Sequence, residues 1–172
     1  PTFIPLAEEA GLMRDLGHWI FEAAARQATA WNTGSEGGIC VSVNLSASQL
    51  RDSTIVSELE AILAKAGCAP NWLTLEITET SMVKDVEGVS LTLRKLRRMG
   101  FRIAIDDFGT GFSSLSHLRH LPVDTLKIDK SFVADIDGSR RAAASGGAAI
   151  VAAVTGLARG LSLEVVAEGV ER

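Results

Sequence analysis

The stretch "FRIAIDDFGTGFSSL", Phe101 to Leu115, sets two carboxylates, Asp106 and Asp107, at the end of an apolar run. Aspartate is a poor strand residue and adjacent like charges repel, so the pair costs stability unless a cation or a set of donors offsets it. A metal site is the first chemistry this suggests. Four more polar residues stand near the C-terminal ends of other apolar runs: Asn44 in "ICVSVNLS", Glu76 in "WLTLEITE", Lys127 in "VDTLKIDK" and Glu168 in "LEVVAEGV". Asn44, Glu76, Asp106, Asp107 and Glu168 offer only oxygen donors, the set that hard divalent ions such as Mg²⁺ or Mn²⁺ take, and no His/Cys cluster suits zinc. Asp107 has the opposite strand parity to Asp106, but at a strand end the chain can turn and bring both towards one centre, where two adjacent carboxylates would bridge two ions. Lys127 is expensive in an enclosed space unless it pairs with these carboxylates or holds a water or phosphate oxygen. With two ions, the chemistry best served is in-line hydrolysis of a phosphodiester.

The elements that must position these residues follow from hydrophobic period. The four runs above and "FRIAIDDF" read as five strands, and segments of helical period separate them. Before the first strand, "MRDLGHWIFEAAARQATAW" places Leu16, Ile20, Ala23, Ala24 and Trp31 near one face; Ile55, Leu59, Ile62 and Leu63 follow the first strand. Val86, Val89, Leu93, Leu96 and Met99 follow the second, with Arg94, Lys95, Arg97 and Arg98 in the last turns before Gly100; Ile150, Val151, Val154 and Leu157 follow the fourth and are closed by Gly160. Alternation of strand and helix predicts a parallel sheet with helical crossovers. Each strand also alternates apolar with polar, Leu73, Leu75 and Ile77 against Thr74, Glu76 and Thr78, for example. Taken alone that pattern suits an antiparallel sheet with one wet face. With covering helices, the polar face must line an enclosed space, and the lumen of a (β/α) barrel, whose active site lies at the C-terminal mouth, is the natural one. Such barrels take about 250 residues, so five strands predict a truncated barrel, with an open α/β sheet as the other solution.

The 172 residues are 47% hydrophobic and 22% charged, the composition of one globular domain with a real core. A net charge of −4 gives no general attraction to polyanions, which disfavours a nucleic-acid polymer as partner. Two cysteines without a CxxC pattern fit a reduced, cytoplasmic setting, and no run approaches the ~20 apolar residues of a membrane span. A chain that opens at Pro1 and stops inside "AEGVER" reads as a piece of something longer. The "DFG" lacks the H-R-D and Gly-rich loop of a kinase. His117 and His120 form H-x-x-H with no further His or Cys nearby, and read as an exposed helix face.

In order and spacing, "FIPLAEEAGL", "VNLSASQL", "LEITET", "IAIDDFGTGFSSL", "LPVDTLKIDKSFV" and "VVAEGVE" resemble the EAL-domain family of bacterial cyclic di-GMP phosphodiesterases, from Phe3 to Glu171. The resemblance implies an α/β fold, a (β/α)8 TIM-like barrel of the EAL type incomplete in this chain, that linearises cyclic di-GMP to pGpG with two Mg²⁺ or Mn²⁺ ions. It implies metal ligands at Asn44, Glu76, Asp106 and Glu168, with Asp107 the ligand of the second ion. Lys127 resembles the lysine that holds the catalytic water, Glu171 the second glutamate of the E-G-V-E motif, Glu79 the anchor of the "DFGTGFSS" loop, and Asp129 a neighbouring support or substrate-binding residue. The family's E-A-L-x-R segment would lie before Pro1, and its Q-G-Y segment after Arg172. Residues 1–172 are thus expected to be a single EAL-domain fragment, weak or dead alone, of a parent that is active if its flanks are intact. A degenerate domain that binds cyclic di-GMP or a partner protein without cleaving is the alternative, and an unrelated metal-dependent barrel fits the carboxylates but not "DDFGTGFSS". The resemblance also admits a homodimer, a neighbouring GGDEF or sensor domain, and a membrane anchor elsewhere in the parent. "DIDGSRRAAASGGAAI" is expected to be a flexible surface insertion.

Overall fold

A computed structural model describes residues 3–34, 38–79, 85–110, 118–134 and 146–170. The chain divides into two compact units, Pro1–Glu76 with Glu87–Arg102, and Ile77–Val86 with Ile103–Arg172. Among the described residues no helix is long and apolar enough to cross a membrane.

The first unit begins with α1 (Phe3–Glu9) and α2 (Met13–Asn32), followed by β1 (Val41–Asn44), the short α3 (Ala47–Leu50), α4 (Ile55–Ala66) and β2 (Leu73–Thr78, as far as Glu76), with α5 (Val86–Met99, from Glu87 on) completing it. β1 and β2 pair in parallel, in the register Val41 to Leu73 and Asn44 to Glu76. The α4 pattern works as its period predicts: Ile55, Leu59, Ile62 and Leu63 are its buried residues, and Gly67 closes it in the left-handed conformation. α5 buries Val89, Leu93 and Leu96 and ends with Arg97 and Arg98, cations at the negative end of the helix dipole. Each of these fully buried side chains contributes about 2 kcal/mol of transfer free energy.

α2 departs from the expected face. Its buried residues are Gly17, Phe21, Ala25, Ala28 and Asn32, whereas Ile20 and Trp31 are 36% and 49% exposed. The helix is apolar over a wide arc, and the side rich in Gly and Ala packs because small residues let α2 approach β1, α3 and α4 closely. Arg14 of α2 pairs with Glu58 of α4, and Lys65 of α4 reaches Glu22 at 2.7 Å; both pairs are exposed and contribute little.

The second unit holds β3 (Arg102–Phe108, from Ile103 on), β4 (Thr125–Ile128), α6 (Lys130–Ala134), α7 (Gly147–Leu161) and β5 (Glu164–Ala167). β3, β4 and β5 are parallel neighbours in that order. Ile103, Ala104, Ile105, Leu126 and Ile128 are all at most 1% exposed. At the lower end Asp124 ties β3 to β4 twice, its amide donating to the Ile103 carbonyl at 2.9 Å and its carboxylate accepting from the Ile103 amide at 3.0 Å. α7 packs on β4 and β5 through Val154 and Ala158. It runs one residue past Gly160, and left-handed Ser162 (φ 58°) caps it. His117 and most of the Ala/Gly/Ser-rich segment lie outside the described residues.

Candidate active site

The pairing of β3 with β4 explains how two consecutive aspartates serve one centre. Ile105 pairs with Leu126 and Phe108 with Ile128, so Asp106 and Asp107 together oppose the single residue Lys127. This is a bulge, which re-aims side chains at a strand end. Asp107 carries the distortion with φ 52°, in the left-handed region that Asp tolerates better than most residues. Its amide donates to the Asp106 carboxylate at 3.1 Å and its carbonyl accepts from the Thr110 hydroxyl at 2.8 Å. The turn anticipated at the end of this strand is therefore a bulge followed by a side-chain-locked loop.

Glu168 follows β5, its amide donating to the Ile128 carbonyl at 3.1 Å. Gly169 then turns the chain with φ 67°, and a Cβ there would meet the Cβ of Lys130 at 2.7 Å, so only glycine passes this point without displacing α6. The result is a group of three carboxylates, Asp106, Asp107 and Glu168, with candidate ligand oxygens all within 4.8 Å of one another. Lys127 sits among them. Its ammonium donates to Asp106 at 2.9 Å and to Glu168 at 2.6 Å, and its side chain is only 13% exposed. The lysine is thus the internal cation that makes this much negative charge tolerable.

Electrostatics separate the carboxylates. Burial first, and then the neighbouring Asp106 charge, push the Asp107 carboxyl above its ordinary value; Asp129 and Glu168 add to it. Asp129 goes the other way, held down by the hydroxyl and then the amide of Ser131. The side-chain interaction between Asp107 and Asp129 adds to the rise at Asp107 and to the fall at Asp129. Ser131 is a residue that sequence reasoning missed; the Asp-x-Ser spacing at the start of a helix was its signal.

Glu79 is 3% exposed, and its carboxylate accepts from the amide of Gly109 at 3.1 Å, at the start of the loop after β3. In the first unit Asn44 and Glu76 are register partners, and the Leu45 amide beyond Asn44 donates to the Glu76 carbonyl at 2.8 Å. Asn44 is exposed and Glu76 is 7% exposed. Glu171 lies outside the described residues. The donors are all oxygen, which fits a hard divalent ion and not a thiophilic one.

Comparison with known proteins bears on the same residues. A family model described as EAL domain matches residues 1–172. The chain is 41% identical over 169 residues to the bifunctional diguanylate cyclase/cyclic di-GMP phosphodiesterase MucR of Pseudomonas aeruginosa, covering 98% of this chain and 24% of MucR. It is 40% identical to the cyclic di-GMP phosphodiesterase NbdA of the same organism, covering 98% of this chain and 21% of NbdA. The chain therefore spans less than a third of the length of these relatives. Among solved structures, the MucR phosphodiesterase in complex with c-di-GMP superposes with a TM-score of 0.91 at 40% identity, over 99% of this chain and 67% of that one. EAL domains are TIM-barrel-like, and each unit holds parallel strands with helical crossovers of the kind such a barrel is built from. Motif order, strand-end chemistry and backbone agree, and the chain belongs to the EAL domain family.

Proposed function

We propose that this chain is the greater part of a catalytic domain that hydrolyses cyclic di-GMP to linear pGpG. The observation that carries the reading is the group Asp106, Asp107 and Glu168 with Lys127 held against two of them. The names of MucR and NbdA and the nucleotide in the MucR complex supply the substrate class. Asp106, Asp107 and Glu168, together with Asn44 and Glu76, are assigned as the ligands of two ions, Mg²⁺ or Mn²⁺. Bound divalent ions supply Lewis acidity to the attacking water and to the phosphoryl oxygens.

The remaining work falls to the chain's own residues. Lys127 orients the attacking water with the ammonium that in this structure engages Asp106 and Glu168. That water forms the new P–O bond as the bond to a 3′ oxygen breaks, which opens the ring and leaves pGpG. Asp129, fixed by Ser131, steadies Asp107. Glu79 fixes the loop after β3 through Gly109, and so holds the bulge that carries both aspartates. Glu171 is assigned beside the same site by its motif.

The chain is assigned as one EAL domain whose E-A-L-x-R strand and Q-G-Y segment belong to neighbouring sequence, in a longer cytoplasmic signalling protein that is dimeric or carries a GGDEF or sensor domain. The test is incubation of the full-length protein with cyclic di-GMP and Mg²⁺, with pGpG followed by chromatography. Product that vanishes on chelation and in Asp106→Asn is expected. Nucleotide binding without product would identify a receptor module and overturn the reading.

A further inference from the structure

Two residues beyond Asn44 the chain enters α3 through a capping box. The Gln49 side-chain oxygen accepts from both the amide (3.0 Å) and the hydroxyl (2.9 Å) of Ser46, and the Ser46 hydroxyl in turn accepts from the Gln49 amide at 3.3 Å. Such a box fixes the angle at which a chain enters a helix. Here the chain being fixed is the end of β1: Asn44 is its last residue, Leu45 is 2% exposed and tied to the Glu76 carbonyl, and Ser46 is the cap itself. Gln49 is 8% exposed, and its amide group lies against Gly17 of α2, where an added Cβ would stand 1.9 Å from Nε2 and 2.9 Å from Cδ. A glycine in mid-helix costs stability relative to alanine, and this one leaves the space that the Gln49 amide occupies. A residue held on three sides, by a cap, by a helix slot and by burial, is more than a four-residue helix needs for its own sake.

We infer that Gln49, seated on Gly17, is a positioning residue for Asn44: it sets the direction in which the end of β1 presents the Asn44 amide to a metal ion. The inference rests on the reading of Asn44 as a ligand. Groups hydrogen-bonded to a metal ligand typically alter affinity about 10–100-fold when removed, and Gln49, which reaches Asn44 through Ser46, falls at the low end of that range. Gln49→Ala should lower Mn²⁺ affinity about tenfold, and Gly17→Ala should act in the same direction by expelling the Gln49 amide. Gln49→Glu keeps the capping box, because a carboxylate also accepts from Ser46, and should retain wild-type affinity.

The experiment is a double-mutant cycle in the full-length protein, with Mn²⁺ affinity measured from the electron-spin resonance of the free ion, without substrate. If Gln49 acts through Asn44, Gln49→Ala loses its effect in an Asn44→Ala background, leaving less than a twofold change. Wild-type Mn²⁺ affinity in Gln49→Ala, beside a loss in Asn44→Ala, would overturn the positioning role while leaving the ligand reading intact. The full tenfold loss added to that of Asn44→Ala would overturn it as well, since the effect would then be general loosening. Unchanged affinity in Asn44→Ala would instead remove the ligand reading on which the inference stands.

Discussion

Replacing Asp107 by Asn is expected to stabilise the metal-free domain while loosening its hold on a divalent ion. Asp107, Asp106 and Glu168 offer oxygens within 4.8 Å of one another. Two unit charges at that distance repel by about 3.5 kcal/mol at an effective dielectric of about 20. Lys127 offsets most of this by pairing with Asp106 and Glu168, and Asp107 is partly solvated. About 1 kcal/mol remains to be recovered by neutralisation. Asn has nearly the same shape and accepts the φ of 52° as readily, so no new strain enters. For a domain of this size the gain is a rise of about 2–4 °C in the calorimetric midpoint with chelator present. Excess Mg²⁺ reverses the order of benefit. At an ion concentration about 100 times the dissociation constant the wild type gains about 2.7 kcal/mol, and a variant bound tenfold more weakly gains about 1.4 kcal/mol. A lower midpoint for Asp107→Asn in chelator, or an equal gain from Mg²⁺ in both proteins, would refute the reasoning.

The same residue predicts a pH dependence. Because the folded carboxyl titrates above its unfolded value, its favourable contribution is complete below about pH 4 and is lost as pH rises through the folded pKa, so the advantage of Asp107→Asn in chelator should grow across that window and vanish beneath it. Mg²⁺ affinity of the wild type should rise over the same window, since the ion displaces a proton; a flat titration would contradict this. Lys127→Met removes the internal cation, and the metal-free domain should lose about 1–3 kcal/mol in a denaturant titration, with much of the loss restored by Mg²⁺. Glu79→Ala leaves the Gly109 amide without its carboxylate and should cost about 1–3 kcal/mol, with faster hydrogen exchange at that amide; unchanged exchange would mean that the loop is held otherwise.

Much of this was legible in the sequence. The existence of all five strands and the apolar faces of α4 and α5 follow from period, whereas β5 buries none of its residues and β3 buries Ala104 beside Ile103 and Ile105. α2 was misjudged because its apolar arc is wide, and the buried side is decided by how closely Gly17, Ala25 and Ala28 let neighbours approach, which periodicity does not measure. Residue types placed the carboxylates at strand ends, but the bulge that lets Asp106 and Asp107 face one lysine depends on pairing register between β3 and β4, which is a tertiary fact. Ser131 and Gln49 illustrate a third case. Their local signatures stood in the sequence, and their significance appears only when Asp129 is seen against Asp107 and α3 against α2.

The central claim is that Asp106, Asp107 and Glu168 hold the catalytic ion, and anomalous diffraction from crystals of the full-length protein grown with Mn²⁺ tests it most directly. The account predicts a peak at about 2.1 Å from carboxylate oxygens of these residues, with Lys127 displaced from at least one of its present partners. Mn²⁺ bound elsewhere, with Lys127 still seated on both Asp106 and Glu168, would contradict it.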